Sequence, residues 1–285
     1  MKAVRKVKPY LYILPVLLFA VFFTYYPFAR TLTHAFSVVN SRGQILSFAG
    51  FENFQYLFGR RDFGTALSNT LVLTAVNVPL TVIITMALAA LCTRRNPLSP
   101  VNETLIAIPM AVSMSAVSLI FSVLLNPSAG WVNKALQLSL GWFQDRKVAL
   151  WGVLLINIWQ GIGFNFLLFL AAFRSIPRPV TEAAKVDGAS AFRILIHIHI
   201  PQIFPTLLYV ICTNTVLCLM TAGPILIIIR GSAARASATL LSMMYNSGYS
   251  SSDYSTAACI AVITFLIAIA FTALGLYAEQ RRNEQ

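Results

Sequence analysis

Six stretches of this chain are almost wholly apolar: about Tyr10–Phe36, Asn69–Cys92, Thr104–Leu125, Ala149–Phe173, Phe204–Ile229 and Thr256–Ala278. A hydrocarbon core about 30 Å thick is crossed by roughly 20 apolar residues in helix, and each stretch meets that length. The runs are continuous, whereas a barrel strand alternates, so they predict helices that satisfy their own backbone hydrogen bonds in lipid. The fold class expected is therefore all-α: a polytopic membrane protein with six transmembrane helices, forming a single transmembrane domain over residues 1–285. The first run is too long for the apolar core of a signal peptide and lacks a small-residue cleavage site, so it reads as a retained span.

The connections are unequal. Residues 37–68, 126–148 and 230–255 join spans on one side, and 93–102 and 174–202 join them on the other. The last of these is too patterned to be a tether, and long loops without a purpose are uncommon. Pro177 and Pro179 end the fourth span's helix. Glu182-Ala183-Ala184-Lys185 are strong helix formers, with Glu182 read as lying near a helix N-terminus, where negative charge is stabilised. Gly188 is placed to close that helix in the left-handed conformation. A second helix would set Phe192, Leu195, Ile196 and His199 on one apolar stripe, with Arg193 and His197 on its other side, until Pro201 and Pro205. Such an elbow has two readings: an amphipathic pair lying on lipid, or a surface that touches another protein. Ala183, Ala184 and Gly188 favour close approach to a second backbone.

Composition agrees with the membrane reading. Only 11% of the residues are charged, against about 25% in soluble domains. The net charge of +12 does not point to nucleic acid, because the basic residues flank the spans, where they meet anionic headgroups and set topology. With both termini cytoplasmic, 12 of the 21 Lys and Arg residues fall inside, among them Lys2, Arg5, Lys6, Lys8, Arg94, Arg95 and Arg282. The positive-inside rule favours that orientation. Cys92, Cys212, Cys218 and Cys259 lie in or at the edge of spans with no metal-ligand spacing, and read as packing residues.

Polar residues within spans are costly and often line a pathway. Asn77, Asn157, Gln160, Asn165 and Asn214 are candidates, with Ser113, Ser115 and Ser118, and Trp159 and Phe164 offer rings beside Gln160. Interhelical hydrogen bonding uses the same residue types. His197 and His199 at i, i+2 point apart, which argues against a metal pair. Trp131, Trp142 and Trp151 suit membrane belts. A secondary transporter would call for buried ionisable residues or inverted repeats, and a membrane enzyme for a catalytic constellation. The acidic residues, by contrast, all lie in loops or at span ends.

Glu182-Ala183-Ala184, then Asp187-Gly188-Ala189, then Ile198 and Ile200-Pro201 resemble the EAA loop of binding-protein-dependent ATP-binding-cassette importer permeases. Isoleucine at 200 departs mildly from the usual leucine. Phe48 to Phe54, Ser68-Asn69-Thr70, Asn126-Pro127 with Gly130 and Asn133, and Ser175-Ile176-Pro177 resemble the carbohydrate branch, nearest the first permease subunits of maltose-type and glycerol-3-phosphate-type importers. Arg230 to Arg235 stands where relatives often carry Gly-Gly-Pro, which bears on substrate or binding protein.

The resemblance implies a translocation path for a sugar or related polar solute, with alternating access driven from outside the chain. The elbow becomes a cytoplasmic coupling helix between the fourth and fifth spans. Glu182, Ala183, Ala184, Asp187, Gly188, Ile198 and Pro201 would engage the ATPase, and Asn77, Ser115, Gln160, Asn165 and Asn214 would line the path. Implied partners are two ATP-binding subunits holding ATP and its magnesium, a second permease subunit, an extracytoplasmic solute-binding protein and the lipid of a bacterial inner membrane. The chain itself carries no Gly-x4-Gly-Lys-Ser/Thr loop for ATP and no cofactor of its own. An anionic solute such as glycerol 3-phosphate competes with a neutral oligosaccharide.

Overall fold

The structure is a computed structural model describing residues 12–93 and 97–283. Lys2, Arg5, Lys6, Lys8, Tyr10, Arg94, Arg95 and Asn96 lie outside the described residues, as does the side chain of Arg282. Among the described residues, five helices are long and apolar enough to cross a bilayer: Tyr12–Ala35, Arg61–Leu91, Ala149–Ser175, Phe204–Ile228 and Tyr254–Arg281. Their positions follow the apolar runs, and the second begins eight residues earlier than its run.

The third run is not one straight helix. It forms Ser99–Ala111 and Met114–Leu124, bent by 101° at the break. Pro109 has no N–H to give the preceding turn, and Val112 is extended, with ψ of 132°. Ser113 then caps the new helix by accepting from the Ala116 N–H at 3.3 Å, a favoured role for serine. The fifth run also stops, at Leu219, and restarts as Gly223–Ile228 with Pro224 in its first turn.

The chain packs as two compact units, residues 1–63 with 243–265, and residues 64–242 with 266–285. In the first unit, β1 (Ser37–Val39) pairs antiparallel with β2 (Ile45–Phe48), with a register irregularity at Val38/Val39. Asn53 donates from Nδ2 to the carbonyls of Ala35 (3.0 Å) and Ser37 (2.9 Å). The Ser255 hydroxyl donates to the Ser37 carbonyl and accepts from the Val39 N–H. Phe36, Phe51 and Phe54 close the corner, with centroids 5.2–6.0 Å apart.

The second unit is built around the fourth span, whose Val153, Ile156, Phe166, Phe169 and Phe173 are buried. The second span turns Thr70, Thr74, Asn77, Thr81 and Thr85 inward, all buried, at helical spacings of four, three, four and four. Most of these hydroxyls return to their own helix: Thr74 donates to the Thr70 carbonyl and Thr85 to that of Thr81. Asn69 and Thr70 reach further. Asn69 Nδ2 donates to the carbonyls of Ala236 and Ala238, and Thr70 Oγ1 accepts from the Leu240 N–H. Residues 230–255 were expected to be a loop, yet they contain helices Gly231–Ala236 and Leu240–Tyr245 and a wide turn at Asn246–Ser250. Alanine and serine form helix readily once such partners satisfy the ends.

Candidate functional site

The elbow forms two short helical segments. The first, Arg178–Val186, follows Pro177 and has Pro179 in its opening turn, where a missing N–H costs nothing. Its end is closed by two hydrogen bonds: Gly188 N–H to the Lys185 carbonyl, and Ala189 N–H to that of Ala184, each 3.0 Å. The second bond requires Gly188 in the left-handed region, where its φ is +78°, a conformation glycine adopts without penalty. Glu182 lies a full turn inside the helix, so the expected placement near its N-terminus does not hold.

Ser190 caps the second segment by accepting from the Arg193 N–H at 3.3 Å. The segment runs through Ala191–Ile194, a π turn at Leu195–His199, and Ile200–Gln202. Its inward face is Ile194, Leu195, Ile198 and His199, rather than the predicted Phe192, Leu195, Ile196 and His199. Phe192 is 73% exposed and Ile196 39%. These four positions, at i, i+1, i+4 and i+5, form one face, and the π turn with its i to i+5 bond lies within it.

On the outer side of the elbow, Glu182, Ala183, Lys185, Val186, Asp187 and Gly188 are all exposed, with Val186 at 88%. Ala184 and Ile198 are half-buried, and Pro201 is exposed. His199, which the sequence reading rejected as a metal ligand, braces the elbow internally. Its Nε2 is 3.0 Å from the Thr181 hydroxyl, and its ring lies 5.9 Å from that of Phe173. Burial, and then the charge of Lys185, push His199 below its ordinary value of 6.5. A group whose folded pKa is lowered in this way contributes fully above its unfolded value, and that stability is lost as pH falls below it. Hydrogen-exchange protection at Thr181 to Lys185 should therefore drop between about pH 7.5 and about pH 5.5, and His199→Asn should flatten the drop. Equal pH responses in the two proteins would contradict the bracing role.

The polar candidates inside the spans fall into two groups. Asn165 and Asn214 exchange amide bonds, Asn165 Nδ2 to Asn214 Oδ1 at 2.9 Å and Asn214 Nδ2 to Asn165 Oδ1 at 3.0 Å. Their remaining N–H groups reach the Gly161 and Val210 carbonyls. Asn77 accepts from Thr81 and donates to the Cys218 sulfur. These three amides form a satisfied seam between spans two, four and five, where interhelical bonds contribute about 0.6 kcal/mol each.

The second group holds the breaks. Asn157 Nδ2 donates to the Thr221 hydroxyl at 3.0 Å, inside the break of the fifth span. One turn on, Gln160 Nε2 donates to the Val112 carbonyl at 3.1 Å, inside the break of the third. Gln160 Oε1 is buried with no hydrogen-bond partner. Ser115 is exposed on the half-helix beyond the break, and Trp159 meets Phe121 edge-on at 5.9 Å. Thr221 escaped the sequence reading, although Gly223-Pro224 beside it is a turn signal.

At the elbow end of the same unit, Arg174 grips Glu103 with both guanidinium nitrogens: Nη2 to Oε1 at 2.6 Å and Nη1 to Oε2 at 3.1 Å. Nη2 also donates to the Cys92 carbonyl at 3.2 Å.

Residues 60–284 match the profile of the family described as binding-protein-dependent transport system inner membrane component. The chain belongs to this family. The sn-glycerol-3-phosphate transport system permease protein of Pectobacterium atrosepticum is 31% identical over 97% of this permease and 96% of the relative. The protein of the same description from Yersinia pestis is 29% identical over 96% and 94%. Among solved structures, the bacterial alginate ABC transporter in complex with its alginate pentasaccharide-bound periplasmic protein has a chain that superposes with a TM-score of 0.86 at 22% identity, covering 98% of this permease and 96% of that chain. The inward-facing MetNI methionine ABC transporter gives a TM-score of 0.55 at 15% identity, over 79% and 98%. The chain is thus a membrane subunit of an ATP-binding-cassette importer, and the helical polytopic fold expected for such a permease is the one it has, with one short β1–β2 hairpin added.

Proposed function

We propose that this permease docks a separate ATP-hydrolysing subunit through residues 178–201 and uses that subunit's motion to switch the path between inward and outward access. One observation carries the reading. The elbow is internally closed by its own hydrogen bonds, while Glu182, Ala183, Val186, Asp187 and Gly188 stand exposed, and a β-carbon added at Gly188 would meet nothing within 4 Å. Lys185 is exposed on the same side, so the face is of mixed charge around an exposed valine, which suits a protein groove better than lipid headgroups, which attract uniformly basic faces. Glu182 supplies a polar contact, Ala183 and Ala184 admit close packing, Asp187 and Gly188 form the bend, and Ile198 and Pro201 support it from the second segment. This reading places the elbow and both termini in the cytoplasm.

The remaining partners follow from the same reading: two ATP-binding subunits carrying ATP and magnesium, a second, non-identical permease and an extracytoplasmic binding protein. The solute belongs to the sugar and glycerol-phosphate class, a choice supported by the sn-glycerol-3-phosphate description of the relatives. Gln160, whose buried side-chain oxygen has no partner, and the exposed Ser115 are the path candidates with polar atoms not committed elsewhere. Asn77, Asn165 and Asn214 take part through the seam that shapes the path. Arg230 is oriented by two donations from its guanidinium to the Leu226 and Ile227 carbonyls at 3.1 Å, which leave its charge and its remaining N–H groups available to an anion. The test is uptake into proteoliposomes of radiolabelled sn-glycerol 3-phosphate and of maltotriose by the assembled transporter. Uptake of one of them is expected only with the ATPase and ATP present, and uptake by this chain alone would overturn the reading.

A further inference from the structure

We propose that the Arg174–Glu103 pair is the link that passes movement of the elbow into the broken third span. The proposal rests on the reading of the elbow as an ATPase dock. Arg174 is in the last turn of the fourth span, immediately before the elbow, and Glu103 lies in Ser99–Ala107, the leading part of the third. The two side chains are about four-fifths buried, at 22% and 21% exposure. Paired, partly buried guanidinium and carboxylate groups in fork geometry hold direction as well as distance, unlike an exposed ion pair, which contributes little.

Arg174 Nε is buried with no acceptor. Such a group costs free energy, so the guanidinium is set for the carboxylate and the Cys92 carbonyl at the expense of its third donor site. The pair thus ties the end of the second span, the root of the elbow and the leading half-helix of the third span. That half-helix leads into the break at Val112, whose carbonyl Gln160 holds. Its other close approach to the fourth span is at Gly163, where an added β-carbon would lie 2.8 Å from the Ala107 carbonyl and 2.9 Å from the Met110 nitrogen. A short helix joined to the elbow at one end and to an unwound segment at the other is an element that can adopt a second position, with the break absorbing the dihedral change.

The experiment uses the complete transporter with its ATPase subunits. Ala111→Cys is introduced, and its reaction with N-ethylmaleimide is followed by peptide mass spectrometry before and after trapping with ATP, magnesium and vanadate. Trapping should change the labelling rate about tenfold, the size of a typical coupling between sites. In Glu103→Gln, Arg174→Gln and the double variant, the ATPase should still co-purify but the change should fall to less than about twofold, with the double no worse than either single. The exchanged pair Glu103→Arg/Arg174→Glu should recover part of the response. A full response in the double variant, losses that multiply between the singles, or loss of assembly in all variants alike would overturn the proposal. Failure of the unsubstituted permease to retain the ATPase would instead overturn the docking reading beneath it.

Discussion

Gly163→Ala should destabilise the permease by about 1–3 kcal/mol, the usual cost of forcing volume into a packed interior. The reason is local. Gly163 sits on the fourth span where the third span unwinds, and its added β-carbon would come 2.8 Å from the Ala107 carbonyl oxygen, 2.9 Å from the Met110 nitrogen and 3.0 Å from the Met110 β-carbon. Two of these atoms are backbone, so no side chain can swing aside to make room. The segment Ile108–Ala111 must move, and with it the Val112 carbonyl that Gln160 holds. Gly161→Ala is the control, since its nearest neighbour is the Thr81 methyl at 3.1 Å, which can yield. A lower melting temperature and less assembled transporter are expected for Gly163→Ala than for Gly161→Ala. Equal melting of the two variants would contradict the packing account of the break.

Gly188→Asp should behave in the opposite way, leaving the subunit folded while abolishing coupled uptake. No atom lies within 4 Å of the added β-carbon, so the only internal cost is the left-handed φ of +78°. That conformation costs most L-residues about 1–2 kcal/mol, and aspartate is among those that tolerate it. The new carboxylate would nevertheless stand beside Asp187 on the face proposed to enter the ATPase groove. Uptake should fall at least tenfold, equivalent to about 1.4 kcal/mol of docking free energy, with membrane levels unchanged and ATP hydrolysis no longer tied to transport. Wild-type uptake in this variant would refute the docking role of the bend.

The two glycines also mark what the sequence discloses. Gly188 was legible as a helix end because the Glu-Ala-Ala-Lys run before it and the positive-φ preference of glycine are local signals, and local hydrogen bonds realise them. Gly163 was not, because its meaning lies in a backbone 53 positions earlier in the chain. The same division runs through the rest of the molecule. Spans announce themselves by apolar length, which hydropathy measures directly. The bend at Pro109 and Ser113 is hidden, since an apolar window registers transfer to lipid and not the direction of the axis. Asn165 and Asn214 were legible as costly polar residues, but their mutual bonding joins positions 49 apart, and Arg174 finds Glu103 across 71. In the elbow, the apolar stripe was misassigned because apolar residues stand on more than one side of the segment, and the structure turns Ile194 and Ile198 inward while leaving Phe192 and Ile196 exposed. Residues 231–239 carry mostly small side chains with little periodicity, and the bonds from Asn69 and Thr70 that satisfy the helix ends on either side join distant positions.

Coupling through the elbow requires it to face the cytoplasm and to touch the ATPase there. Val186→Cys, at a position 88% exposed at the end of the elbow's first helix, tests both in one preparation. A maleimide that carries a photoactivatable group should, after attachment at residue 186, cross-link it to the ATPase subunit in inside-out vesicles, and the cross-link should change on addition of ATP. Labelling of residue 186 in intact cells by a membrane-impermeant maleimide, with no cross-link to the ATPase, would contradict the account.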